Sequence, residues 1–373
     1  MYATDLLALA ASRGASVQLA VIHRGRTVVD GAVRCQPDAL GWLFSASKPF
    51  TSLLVHRLAG QGLLDLDEPV AAYWPEYGSG HRWQRSERTS KAATTLREVL
   101  THRSAVPSAG PYPAAVVAMH RTEASLQRVA GGRRRDRRYG AGPAYQPLDF
   151  GFILAEVARR AVGRTVGRDG GRGVGGDGEV DWARLLREVV LEPAGLWDVH
   201  PGVPDAELPR CLPFDASLRA APGGPLIAAL LNRRVVRQAQ IPAAGISTTA
   251  LELARFYHYL LRAPEREALC TPSSDGGPDG WTRLPTRWGT GVQLGGTGAG
   301  SPLGETSTER TFGHNGSDVC LGWADPDLDL AIGLVTDRAS GHPADRRLLV
   351  ELSDAIRSLA ANSSAGAHEI LTT

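Results

Sequence analysis

Ser45-Ala46-Ser47-Lys48-Pro49-Phe50 runs on through Leu53, Leu54 and Leu58 to Gly60. The apolar residues fall at helical spacing, and Gly60 and Gly62 end the run, so the stretch predicts a helix that starts near Ser45. Residues three apart share a helix face, which holds Lys48 beside the Ser45 hydroxyl. A serine hydroxyl becomes a nucleophile only when a base takes its proton, and a neutral amine can do so where an ammonium cannot. The partial positive charge at a helix start disfavours the ammonium, and burial acts the same way. Pro49 sits in the first turn, where proline is tolerated. Lys48 is conspicuous because the chain has only one other lysine, Lys91; every other basic position is arginine.

Working outward, Trp42-Leu43-Phe44 makes an apolar approach to Ser45, placing the motif in a core and not on a surface. Upstream, Val17–Val33 alternates and turns at Arg24-Gly25-Arg26, which predicts a β-hairpin. Downstream, helices are expected at Leu96–Thr101, Phe150–Val162, Trp182–Glu192, Thr249–Arg262 and Leu348–Leu359. Segments 272–280 and 295–307 read as loops. Val319–Ala324 and Leu328–Thr336 read as a second hairpin around Asp325-Pro326-Asp327. The glycine-rich stretch 163–178 has almost no core-forming residues and is expected to be a loop or linker insertion. Strands at both ends and helices between them predict an α+β fold. An antiparallel sheet from N- and C-terminal segments is flanked by helices, with residues 1–70 and 235–373 forming the α/β part and 71–234 a mainly helical one.

At 373 residues, the chain is long enough for a substantial core. Its formal net charge of +2 gives no footprint for nucleic acid or a charged membrane surface. Cys35, Cys211, Cys270 and Cys320 form no CxxC pair and read as free thiols; no cluster of ligands suggests a metal. The apolar run Leu6–Ala11 is too short for a signal or a membrane span. A cytoplasmic, soluble protein is expected, and nothing in the sequence sets its oligomeric state. Gly171–Gly176 matches GxGxxG formally but follows no strand and opens no helix, so a dinucleotide site fails on context. Neither a GxSxG elbow nor an HExxH helix is present.

The SxxK tetrapeptide alone recurs often by chance. Together with Leu64-Asp65-Leu66-Asp67-Glu68-Pro69-Val70, however, it resembles the serine β-lactamase-like superfamily, which includes class C β-lactamases, D-alanyl-D-alanine carboxypeptidases, esterases and acyltransferases. Thr95–Ser104 resembles that family's LLTHTSG segment, and Ala244–Thr249 with Leu253–Phe256 its GGLxSTAxDLARF segment. Trp288-Gly289-Thr290-Gly291 resembles its YGLGW, and Phe312–Gly316 its GHxG third motif. The matches follow in order from about residue 17 to 355.

The resemblance implies roles. Ser45 would be acylated and Lys48 would activate it. Tyr145 would shuttle a proton to and from the leaving group, helped by the positive charge of Lys48. His314 would replace the third motif's basic residue. Backbone N–H groups of Ser45 and Ser317 would form the oxyanion hole. Asp149, Trp288, Asn315 and Gly316 are further candidates for substrate contact; Asp149, four residues after Tyr145, would share its face if that stretch is helical. Plainer roles are a helix-start carboxylate for Asp149, core packing for Trp288 and packing or capping for His102. The run Arg133–Arg138 reads as a solvated loop, or as a guide for an anionic substrate. Class C enzymes carry Tyr-x-Asn, whereas Pro147 stands at the Asn position here and offers neither an amide side chain nor an N–H. That points from β-lactams towards an ester or acyl donor, with an amine, an alcohol or water as acceptor and no cofactor. Cytoplasmic members lacking the Asn are esterases or acyltransferases, some of them in antibiotic biosynthesis. The alternatives are a β-lactamase or D-amino-acid peptidase, and, with less support, a non-catalytic acyl-sensing protein.

Overall fold

The computed structural model describes residues 3–78, 91–104, 108, 110–132, 142–169, 180–215, 224–338 and 342–369. The first hairpin forms as expected. β1 (Val17–His23) is buried along its whole length, and β2 (Arg26–Val33) is the exposed edge. Arg24 and Gly25 both take positive φ, 50° and 75°, as a tight hairpin turn requires of its central residues.

Two short strands follow further along, β3 (Gly41–Trp42) and β4 (Val199–His200), and then β5 (Ser247–Thr248). They form a three-stranded sheet in the order β3-β5-β4. The sequence does not announce it, because two-residue strands carry no periodicity. Its function is positional: the Leu43 N–H donates to the Ile246 carbonyl at 2.9 Å, which fixes the backbone just before Ser45.

The main sheet is completed by β6 (Arg287–Trp288), β7 (Gln293–Leu294), β8 (Phe312–Gly316), β9 (Cys320–Asp325) and β10 (Leu330–Thr336). Its order is β2-β1-β10-β9-β8-β7-β6, and every neighbouring pair is antiparallel. The ends of the chain therefore meet in mid-sheet, where Val17 pairs with Thr336. Alternation along β1 sorts two cores. Val17, Leu19 and Val21 face the terminal helices Ala3–Ala10 and Pro343–Glu369, joining Leu6, Leu349, Leu352 and Ile356. Ala20 and Ile22 face the larger core that contains the Ala250–Leu260 helix and the helical body. That helix sits tight on the sheet. A Cβ on Gly333 would lie 2.1 Å from the Ala250 carbonyl oxygen, so only glycine fits there.

The Lys48–Gly60 helix is entered through a 3₁₀ turn at Phe44–Ser47. It is buried on nearly every side, from Lys48 to Leu58, which places the SxxK motif in the core. The Asp149–Asp169 helix runs past its expected end at Val162 into the glycine-rich segment; residues 170–179 lie outside the described residues, as does the arginine run at 133–138. Trp182–Leu186 is α-helical and continues as a π-helical turn, Arg187–Leu191. Among the described residues, no helix is long and apolar enough to cross a membrane.

Candidate active site

Ser45 lies at the 3₁₀ turn directly after Phe44, whose φ of 45° is left-handed for a non-glycine residue. Such conformations cost about 1–3 kcal/mol and persist where packing imposes them. Here Phe44 is held between Trp42 and Phe214, at ring-centroid distances of 6.4 and 5.3 Å.

Lys48 is fully buried. Its Nζ lies 2.8 Å from the Pro147 carbonyl oxygen, 3.2 Å from that of Ala243 and 3.2 Å from Ser45 Oγ. Burial pushes the amine well below its usual range. A neutral amine has two N–H groups and one lone pair. The two carbonyls can only accept, so they take both N–H groups. The lone pair is left for Ser45.

The Tyr145 hydroxyl donates to Ser45 Oγ in a short hydrogen bond. Burial raises the phenol far above its ordinary value, against the hydrogen bond to Ser45, and the nearby Tyr112 and Asp279 add to the rise. With the amine neutral, the relay would run from Tyr145 O–H to Ser45 Oγ and from Ser45 O–H to Lys48 Nζ; with the amine charged, Lys48 Nζ donates to Ser45 Oγ instead. The Lys48 nitrogen also sits 4.7 Å from the centre of the Tyr145 ring. A proton gained by Lys48 would place positive charge beside the phenol when the phenol releases its own.

Trp288 combines both roles weighed for it. It is core, at 1 % exposed, and it stacks on Tyr145 at 5.5 Å with the rings 6° from parallel. His102 closes the back of this pair, edge-on to Tyr145 at 4.9 Å and to Trp288 at 4.4 Å, so its role is packing. Its backbone carbonyl accepts from Ala144 N–H and its Nδ1 from Gln146 N–H, bracketing Tyr145.

His314 reaches the cleft beside Ser45 but carries no charge there. Burial, then the neighbouring Lys48, lowers it to about 3. Its Nδ1 lies 2.9 Å from the Asn315 carbonyl oxygen, which only accepts, so Nδ1 holds the proton and Nε2 is a bare acceptor. It occupies the third-motif position as a neutral side chain, not as a cation.

Two clefts open from Ser45. One, of about 150 Å³, is apolar and lined by Trp42, Phe44, Tyr112, Val116, Met119, Pro147, Leu148, Ile227, Leu231 and Ala244. The other, of about 180 Å³, is mixed: Leu284, Pro285, Trp288, Leu294 and Leu303 line it together with the charged and hydrogen-bonding side chains of Thr282, Arg287, Gln293, His314, Asp318 and Arg346, which make it the polar cleft of the two. Ser45 and Ser317 are the residues common to both. Ser317 has a φ of 55° at the end of β8. Neither its backbone N–H nor that of Ser45 finds a hydrogen-bond partner among the described residues. A larger groove of about 470 Å³, between Trp74, Phe152 and Trp182, does not include Ser45, so its size gives it no part in this chemistry.

Residues 7–355 match the family described as Beta-lactamase. The chain belongs to the beta-lactamase family. Within it, the chain is 27 % identical over 367 residues to the esterase/beta-lactamase LipL of Mycobacterium tuberculosis, covering 86 % of this chain and 76 % of LipL. The fold is shared with a family VIII carboxylesterase, at a TM-score of 0.73 and 21 % identity, covering 94 % of this chain and 95 % of the other. It is also shared with EstCE1, a hydrolase with promiscuous acyltransferase activity, at a TM-score of 0.65 and 16 % identity, covering 93 % and 97 %.

Three sequence candidates sit differently from the expectation for a beta-lactamase family site. Asp149 does not line either cleft; its carboxylate pairs with Arg128 at 2.8 Å. The helix begins only at Asp149, so Tyr145 lies outside it and four-residue spacing gives no shared face; Arg128, 21 residues upstream, takes the carboxylate instead. Asn315 lines the polar cleft, yet both ends of its amide bind Asp318, at 2.7 and 3.0 Å, and so shape the turn that carries Ser317. Gly316 is there for clearance: a Cβ would stand 2.2 Å from the Leu43 carbonyl oxygen and 2.3 Å from Cys320 Sγ. Gln293, Arg287, Arg346 and Asp279 are neighbours that motif order did not single out.

The buried neutral histidines make stability depend on acid. Burial lowers His56 to about 4 and His314 to about 3, from an ordinary value of 6.5. Both must take a proton in the unfolded chain before they do so in the fold. Their contribution is complete above pH 6.5 and is lost as pH falls through the folded values. Each contributes a slope of about 1.4 kcal/mol per pH unit in that window. Thermal melts should drop steeply below pH 6; a melting temperature unchanged down to pH 4 would contradict this.

Proposed function

We propose that this protein is a serine acyl-enzyme catalyst that takes the acyl group of a small ester onto Ser45 and passes it to water, an amine or an alcohol. The observation that supports it best is the Tyr145–Ser45–Lys48 cluster standing between two clefts, one apolar and one that also carries charged and hydrogen-bonding side chains.

The relay gives the clefts their roles. The proton donor to a departing oxygen must stand on the leaving-group side, and Tyr145 lines only the polar cleft of the two. The acyl chain then lies in the apolar cleft. A dry apolar space of about 150 Å³ takes a group the size of benzene, so short branched or aromatic acyl groups fit and long linear chains do not. In the first step Lys48 takes the Ser45 proton, Oγ bonds to the ester carbon, and the carbonyl oxygen becomes negative against the N–H groups of Ser45 and Ser317. The carbon–oxygen bond to the leaving group breaks as Tyr145 hands its proton to that oxygen, and the proton on Lys48 replaces it. The second step runs the same sequence backwards with the acceptor in the polar cleft.

Pro147 argues for esters over β-lactams. It presents an apolar ring to the acyl cleft and its carbonyl to Lys48, so position 147 offers no donor or acceptor side chain to a substrate amide. Transfer competes with hydrolysis when an acceptor outlasts water in the polar cleft. Its hydroxyl, amide and guanidinium groups suit an acceptor that carries hydrogen-bonding groups of its own.

Mass spectrometry of intact protein mixed with p-nitrophenyl esters of graded acyl size tests the reading. The expected result is a mass gain mapped to Ser45 with short acyl groups, absent with long ones, and lost faster when a polar amine or alcohol is added. No mass gain with any ester, or a gain elsewhere on the chain, would refute it.

A further inference from the structure

Asp279 lies in the loop before β6 and is completely buried. Its carboxylate accepts from groups on both walls of the polar cleft. The Tyr145 backbone N–H donates to it at 3.0 and 3.2 Å, and the Trp288 indole Nε1–H at 3.3 Å. The backbone N–H groups of Trp281 and Thr282 donate at 2.9 Å, and the Thr282 hydroxyl at 3.3 Å. No ion pair joins it to a basic side chain among the described residues. All its partners are neutral donors, an arrangement that suits an acceptor-only group. The loop is also stitched to the segment before Tyr145, since the Gly280 N–H donates to the Pro143 carbonyl at 2.8 Å.

The consequence is specific to one pair of side chains. Trp288 stacks on the Tyr145 ring, and one carboxylate holds the indole of the first and the backbone of the second. A shift of Asp279 moves both together. Ser45 and Lys48 are held by other groups: the Lys48 amine by Pro147 and Ala243, and the backbone before Ser45 by Ile246.

We infer that Asp279 is a positioning residue for the proton-delivering phenol: it sets Tyr145 and Trp288 as a unit, so that the Tyr145 hydroxyl meets Ser45 Oγ and the departing oxygen. The inference rests on the role proposed for Tyr145, and its test separates the two.

Acylation, read as kcat/KM, is compared between p-nitrophenyl and alkyl esters of the same short acyl group, because deacylation of their shared acyl-enzyme is the same for both. The p-nitrophenolate departs without being protonated; an alkoxide needs the proton. Tyr145→Phe calibrates the comparison, with alkyl esters losing far more than p-nitrophenyl esters. Asp279→Asn, which is nearly isosteric, is expected to lower kcat/KM for alkyl esters by about 100-fold, the scale of a misplaced catalytic group. For p-nitrophenyl esters kcat/KM should stay within about 3-fold, below the contribution of general acid catalysis. Trp288→Phe removes the indole N–H and part of the ring system while keeping an aromatic ring against Tyr145, so a smaller loss with the same leaving-group bias is expected even if Asp279→Asn folds poorly. Equal losses on both ester types in the two variants would overturn the inference. If Tyr145→Phe itself shows no bias, the role of Tyr145 fails instead.

Discussion

Ser45→Ala lowers ester turnover by about 10⁴- to 10⁶-fold, the loss expected when a nucleophile that works as part of a unit is removed. The residual rate comes from binding and the oxyanion N–H groups, which belong to the backbone and survive the change. Stability should hardly move. Lys48 keeps both carbonyl partners, and Tyr145 keeps its backbone bond to Asp279 and its stacking on Trp288. Burst kinetics on a p-nitrophenyl ester, with a melting curve of the same sample, check both halves. A variant within 10-fold of wild type would remove Ser45 from the mechanism.

Lys48→Met is the second large effect, and it is compound. Loss of the base costs about 10²–10⁴-fold in kcat. Methionine also cannot donate, so the buried carbonyls of Pro147 and Ala243 lose a partner, at about 1–3 kcal/mol for each group left unsatisfied. The kinetic effect is distinguished by pH. The active form of Lys48 is the free amine, which exists above its folded value, and burial has moved that value well down from 10.5. Wild-type kcat/KM should fall as pH drops through the lowered value, and the Lys48→Met variant should lack that limb. Lys48→Arg should not rescue activity, because a guanidinium keeps its proton. A wild-type profile that climbs only near pH 10 would mean the amine is charged in the resting enzyme.

What the sequence carried, it carried locally. The SxxK helix, the first hairpin and the β9–β10 hairpin rest on spacing and turn residues within a few positions, and they are where expected. Tyr145 and His314 were found through the order of motifs, and they meet Ser45. The charge of His314 was not readable, because its burial comes from Trp288, Tyr145 and Lys48, all distant in sequence. Asp149 shows the limit of face arguments: the spacing from Tyr145 counts only if both lie in one helix, and the helix starts at Asp149 itself. Asp279 had no local signal at all, since its partners lie at 145 and 288 as well as in its own turn. The two clefts are likewise surfaces assembled from segments more than a hundred residues apart.

The pairing of β1 with β10 sets the order of events during synthesis. Ser45 and Lys48 leave the ribosome well before the far strands of the sheet; β1 pairs at once with β2 but must wait roughly 300 residues for its other neighbour, β10, about 15–60 s at ordinary elongation rates. His314 and Ser317 emerge late in that interval, so the oxyanion site cannot exist before the sheet is nearly closed. The growing chain thus carries an unarmed serine through most of its translation, its buried helix deprived of the surface it will pack on. Until β10 arrives, the central sheet lacks its link to β1, and His314 and Ser317 cannot stand beside Ser45.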